Sequence, residues 1–265
     1  MIITPFLGEL KKQLRNHQRN KIELISTLLW PILILSIMYG TYKSFNVNVL
    51  SNIGIQSQAD LLLFLVTGAL TYNFFWLSVQ TAFLMVSERA SGTLEIQFLS
   101  PANRYALMLG RALGTLIPEV WMFTIFSLFM ITVSSRFNGP EFGHLIICFI
   151  ILIFSSTIWG AFINSLFLIS RDATFYFTLF DEPMRFLSGS QIPIQRFPIV
   201  FQVVGAIFPA THVLILIRQF LLTGDISGMH VLFFLISLIG TVLGTFLLIR
   251  IAERKQQKTG SFNNY

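Results

Sequence analysis

The sequence predicts an all-α integral membrane protein: six transmembrane helices, an N-terminal amphipathic helix on the membrane surface, and a re-entrant helical hairpin before the last span. Three observations predict it. Of the residues, 54% are hydrophobic and 11% charged, whereas a soluble domain carries roughly 25% charged residues to cover its surface. The apolar residues come in uninterrupted runs, and crossing a bilayer as a helix takes about 20 residues. Lys and Arg cluster beside alternate runs, the pattern that orients a multi-span chain. That clustering also argues against nucleic acid as the partner of the +6 net charge.

Thr4-Pro5 marks a helix start, a capping side chain followed by proline at the first helical position. Phe6, Leu10 and Leu14 recur every fourth residue, with Lys11, Lys12, Arg15 and Arg19 on the remaining faces. Residues 1–21 are therefore expected along the cytoplasmic surface, with the cations at anionic headgroups. No apolar core with a small-residue cleavage site occupies this segment, so a cleaved signal peptide is not expected.

Residues 22–251 form the transmembrane domain, with apolar runs at Ile22–Tyr42, Leu61–Ser87, Ala106–Ser135, Leu145–Ser170 and Ile226–Ile249, and residues 252–265 form a tail. The basic N-terminal segment and the tail, with Arg250, Arg254, Lys255 and Lys258, outweigh the lone Lys43 and Arg136 of the first and third loops. Both termini are thus placed in the cytoplasm, and the number of crossings is even. Ala173–Gly224 must then supply one net crossing, although it holds apolar residues for two and is interrupted by Pro183, Pro193, Pro198 and Pro209. The expected arrangement is a crossing at about Ala173–Gly189, then a hairpin over about residues 192–223 that dips in from outside and returns. The reverse assignment, with Phe197–Ile217 as the crossing, stays open.

No segment matches G-x-x-x-x-G-K-[ST], so the chain is not expected to hydrolyse nucleotide by itself. H-E-x-x-H and C-x-x-C are absent, His17, His144, His212 and His230 are scattered, and Cys148 is the only cysteine. Neither a metal, a bound cofactor nor a catalytic nucleophile is expected.

The informative segment joins the second and third runs: Ser87-Glu88-Arg89-Ala90-Ser91-Gly92-Thr93-Leu94-Glu95-Ile96-Gln97-Phe98-Leu99-Ser100-Pro101-Ala102-Asn103-Arg104. It reads as a helical piece, a break at Gly92, a second short helix capped by Thr93, and a stop at Ser100-Pro101. Leu94, Phe98 and Leu99 are expected on one face of that helix, with Glu95 beside them. A stiff amphipathic element tied to two spans suits the passage of force from a soluble partner into the membrane.

At Glu88, Gly92-Thr93-Leu94-Glu95, Ser100-Pro101 and the downstream Leu109-Gly110-Arg111, the sequence resembles the permease subunits of the type-2 ABC exporter family. Ser188-Gly189-Ser190-Gln191-Ile192-Pro193, then Phe197-Pro198, Phe208-Pro209-Ala210-Thr211 and Arg218, is similar to that family's stretch before the last span. The resemblance covers nearly the whole chain. It implies that loop 88–104 is a coupling helix docked in a groove of a separate ABC ATPase, with Glu88, Gly92, Thr93, Leu94, Glu95, Phe98, Pro101 and Arg104 as its residues. It places Gly189, Pro193, Pro198, Pro209, Thr211 and Arg218 in the outer hairpin. It further implies two ATPase subunits that bind the ATP and Mg, a second permease (identical or different), surrounding lipids, and a bacterial inner membrane. The cargo of that family is amphipathic or lipid-like: drugs, antibiotics, peptides or lipid-linked glycans. The Gly-Thr-Leu-Glu form looks more like the drug and nodulation-factor branch.

Ionisable residues within apolar runs are costly and by default face a cavity or a partner. Asp181 and Arg185, four apart, are expected to pair, the other use being to line the outer substrate route with Glu182. Glu119 lacks a local partner and is either a site residue or part of an interhelical hydrogen bond. Gly110-x-x-x-Gly114 and Gly240-x-x-x-Gly244 are expected at close helix contacts within the subunit. The competing function is a secondary transporter or channel working without an ATPase. That class usually shows broken helices in both halves, whereas here the proline-broken stretch occurs once.

Overall fold

A computed structural model describes residues 3–19, 21–44, 58–133, 142–169, 173–223 and 226–259. Arg136, used above to count charges, lies outside them. All regular structure among the described residues is helical: α1 (Ile3–Arg19), α2 (Lys21–Ser44), α3 (Gln58–Ala90), α4 (Thr93–Leu99), α5 (Arg104–Leu116), α6 (Val120–Val133), α7 (Phe142–Ile169), α8 (Ala173–Leu187), α9 (Ile199–Gly205), α10 (Pro209–Thr223) and α11 (Gly228–Thr259). A 3₁₀ turn, Ile117–Glu119, joins α5 to α6.

Among the described residues, four stretches are long and apolar enough to cross a bilayer: Ala59–Ala90, Arg104–Thr132, Gly143–Ile169 and Gly228–Lys255. The pair α9 and α10, bent by 94°, qualifies as a fifth when taken together. The chain is a helical multi-pass membrane protein. Its centre is α7, which packs against α3, α5, α10 and α11. Phe74, Phe75, Phe126, Leu152 and Ile163 are buried there, while Leu128, Ile150, Phe154, Ile236 and Leu247 are exposed on the outer surface, as expected where the surroundings are hydrocarbon. Polar side chains join α3 to α7: Asn164 Nδ2 donates to Thr81 Oγ1 at 2.8 Å and Ser78 Oγ to the Ser156 carbonyl at 2.9 Å. In an apolar interior such bonds hold helices together where burial of apolar surface cannot.

Helix α1 lies against α5, and glycine makes this possible. A Cβ on Gly110 would stand 2.5 Å from the Phe6 carbonyl oxygen, and one on Gly114 would stand 2.7 Å from Gln13 Cβ. Gly244 similarly meets the Phe162 ring, with 2.8 Å to its nearest atom, but Gly240 has open space beside it. The second glycine pair is therefore only half used within the described chain. Because Gly110 faces backbone that cannot rotate away, Gly110→Val should lift α1 off α5. Hydrogen exchange of α1 in the purified, lipid-reconstituted protein is expected to quicken markedly; unchanged protection would contradict this packing.

Candidate functional site

The loop between α3 and α5 folds from its own sequence. Gly92 takes φ +70°, a left-handed conformation that glycine adopts without a Cβ penalty. This sharp turn ends α3 and starts α4. Thr93 is not the cap expected of it: Gly92 occupies that position without a side-chain bond, and Thr93 Oγ1 donates instead to the Glu88 carbonyl at 3.1 Å. Helix α4 ends at Leu99, with Ser100 extended before Pro101, because a residue preceding proline is driven out of the helical region. Asn103 then caps α5, its Oδ1 accepting from the Ala106 N–H at 3.2 Å.

Beneath this loop lies a buried ion network that unites four helices. Arg111 of α5 is 0% exposed. Its Nε donates to Glu9 Oε1 of α1 at 3.1 Å, and its Nη2 to Glu88 Oε2 of α3 at 2.5 Å and to Gln97 Oε1 of α4 at 3.3 Å. Lys12 pairs with Glu88 and, at 3.3 Å, with Glu9, which also accepts from Gln13 Nε2 at 2.8 Å. Two cations balance two carboxylates, the condition under which buried charge is tolerated. Burial of Glu9 opposes its ionisation, yet Arg111 and Lys12 beside it hold its carboxyl below the usual carboxylate range.

This arrangement revises two expectations. The inward face of α1 carries Glu9 and Gln13, each 4% exposed, and Lys12 turns toward them instead of toward headgroups. Leu94, expected as an anchor for a partner, is 0% exposed and belongs to the core of its own chain, while Ile96 and Leu99 on the other side of α4 are 69% and 86% exposed. The side chains of Glu95 and Phe98 lie outside the described ones.

The loop is also tied at both ends. Arg89 Nη2 donates to the Phe167 carbonyl at 2.9 Å, a cation at the C-terminal end of α7 where carbonyls are unsatisfied and the helix dipole is negative. Arg104 Nη1 donates to the Ser100 and Ala102 carbonyls at 2.7 and 2.6 Å, and its Nε stands 3.8 Å from Glu253 of α11. A cleft of about 420 Å³ runs between α1, the end of α3 and α4, lined by Asn16, Ser87, Thr93 and Ile96 among others. The loop thus presents an apolar ridge on a rigid, internally charged base.

At the other end of α8, Gly189 takes φ +86° and Pro193 opens a short 3₁₀ turn. Pro198 stands at the start of α9 and Pro209 begins α10, so both prolines initiate helices where their missing N–H costs nothing. Thr211 Oγ1 donates to the Gly205 carbonyl at 2.6 Å across the bend. Arg218 staples the hairpin to α3, donating to the Gly189 carbonyl at 2.8 Å, the Phe64 carbonyl at 3.0 Å and Thr67 Oγ1 at 3.4 Å, with its guanidinium 3.6 Å from the Phe64 ring centroid.

Asp181 and Arg185 do not form the expected ion pair. Asp181 is 6% exposed and accepts from Tyr72 OH at 2.9 Å, a neutral donor offered by the neighbouring α3, while Arg185 and Glu182 are exposed. Glu119 sits in the 3₁₀ turn with Pro118. Among the described residues no group of three or more His, Cys, Asp or Glu could hold a metal ion.

The model of the ABC-2 family transporter protein matches residues 10–251. The chain belongs to the ABC-2 transporter family. Search of curated proteins finds no match. As an ABC-2 permease it is a membrane transport component, and the matched region contains the loop, the ion network except Glu9, and the hairpin.

Sequence reasoning reached the loop and Arg111 but missed the network beneath them. A signal was present: Glu9 is the sole acidic residue of α1, and Arg111 lies between the glycines of the Gly110/Gly114 face that receives α1.

Proposed function

We propose that this chain is the membrane-spanning subunit of an ATP-driven exporter that moves an amphipathic or lipid-like substrate outward, energised by a separate ABC ATPase. Two ATPase copies would bind the ATP and Mg at the cytoplasmic face, and a second permease, the same chain or a relative, would complete the route. Six crossings are assigned to α2, α3, α5 with α6, α7, α8 and α11, with α9 and α10 as a re-entrant pair and both termini in the cytoplasm. The observation that carries this reading is α4. It is a short helix with exposed Ile96 and Leu99, mounted on a buried network that reaches α1, α3 and α5. A push on α4 therefore reaches at least two spans without an intervening flexible segment.

The test is co-expression with the ABC ATPase encoded nearest to it. The two should co-purify, and ATP-dependent export from inside-out vesicles should require both, while the permease alone shows no hydrolysis. Hydrolysis by a partner-free preparation, or export sustained by an ion gradient without ATP, would favour a transporter working alone and overturn this assignment.

A further inference from the structure

A further cavity lies apart from the coupling loop and the hairpin. It has a volume of about 300 Å³ and lies where the end of α1, the start of α2, α3 and the break between α5 and α6 converge. Its polar lining includes Gln13, Asn16, Gln80, Thr81, Thr115 and Glu119. These are neutral amides and hydroxyls plus one carboxylate. Glu119 makes no ion pair or hydrogen bond among the described residues, and neither Gln80 nor Asn16 does. The nearest cations of the loop network, Lys12 and Arg111, are already matched by Glu9 and Glu88. Glu119 is thus the one acidic or basic residue in the lining of this polar chamber, and it stands in the 3₁₀ turn between α5 and α6. It is eight residues beyond Arg111, about 12 Å further along the helix, which places it just inside the cytoplasmic leaflet in the topology proposed above.

A carboxyl group beside amides and hydroxyls, whose oxygens can turn inward as acceptors, suits a cation with several N–H or polarised C–H groups. A desolvated metal ion is the poorer fit, since it needs oxygens closed around it at about 2–2.6 Å, and the chamber is roughly ten times one water's share of liquid volume, about 30 Å³. We propose that this cavity receives the ammonium group of an alkylammonium amphiphile from the cytoplasmic leaflet, with Glu119 as its counter-ion. The outward fate of that ligand rests on the exporter reading; its binding does not.

The test uses the full chain in nanodiscs of phosphatidylglycerol, without ATPase, titrated with a fluorescent long-chain trimethylammonium dye and with an uncharged dye of the same tail. The charged dye should bind saturably, and Glu119→Gln should weaken it by about tenfold or more, the usual scale for losing a bond to a charged group. The uncharged dye should bind weakly and equally to both proteins. Equal affinity of the charged dye for wild type and Glu119→Gln overturns the proposal. If Glu119→Gln melts early, Gln80→Leu serves instead: it removes a polar wall and leaves the carboxylate, and unchanged binding by that variant overturns the proposal equally. Repeating the titration with phosphatidylethanolamine in the disc separates two sources. A right-shifted curve identifies a lipid headgroup as the occupant, and an unshifted one identifies a free amphiphile; both keep the ammonium site. Dye binding without export in the ATPase co-expression test would leave this site standing and reject only the exporter.

Discussion

Arg111→Met is expected to abolish export and to destabilise the protein more than any other single change in the coupling region. The substitution keeps much of the side-chain volume but leaves Glu9 and Glu88 facing each other in a buried setting with only Lys12 between them. Removing one partner from a buried ion pair typically costs about 3–5 kcal/mol, because the remaining charge is stranded. Three helices lose their common contact at once, so α1 and α4 should loosen together. Arg111→Lys should be intermediate: it restores the charge but not the fork that reaches Glu9, Glu88 and Gln97 from one group. The comparison that isolates charge from packing is the triple substitution Glu9→Gln, Glu88→Gln, Arg111→Met, which should recover thermal stability in detergent relative to Arg111→Met while export stays low. If Arg111→Met melts and exports as wild type, the network does not link α4 to the spans.

The parts of this molecule that the sequence made legible are those written in local patterns. Apolar runs, the glycine break at Gly92 and the Ser100-Pro101 stop are each set by a handful of adjacent residues, and helix α4 occupies Thr93–Leu99 accordingly. The rotation of α4 about its axis was not legible. Seven residues make barely two turns, and Leu94, Ile96, Phe98 and Leu99 offer apolar groups around most of the circumference. Which of them is buried depends on the helices arriving beneath it, and among the described side chains it is Leu94. The ion network was invisible for a related reason. Glu9 and Arg111 are 102 positions apart, and a single long-range polar contact leaves no periodicity. Asp181 was misassigned because spacing shows only neighbours on the same helix, whereas its donor, Tyr72, comes from α3.

The orientation of α4 fixes the other large effect. Replacing Ile96 and Leu99 together with Asp should leave the permease folded but separate it from its motor. Both side chains are exposed, at 69% and 86%, so charging them buries nothing inside this chain. At an interface they would form its apolar centre, where truncation of a well-buried anchor commonly costs about 2 kcal/mol or more and a charge introduced there costs further desolvation. Leu94→Ala makes the opposite prediction: a fully buried leucine leaves a cavity, at about 2–5 kcal/mol, and the damage should register as a lower melting temperature of the permease alone. The measurement is paired, with ATPase co-purification at matched permease abundance on one side and thermal melting of the isolated permease on the other. Ile96→Asp/Leu99→Asp should lose co-purification and ATP-driven export with melting unchanged, while Leu94→Ala should melt early. If the double mutant retains the ATPase and exports normally, the ridge of α4 is not the docking surface, and the exposed residue pair has to be assigned to lipid or solvent instead.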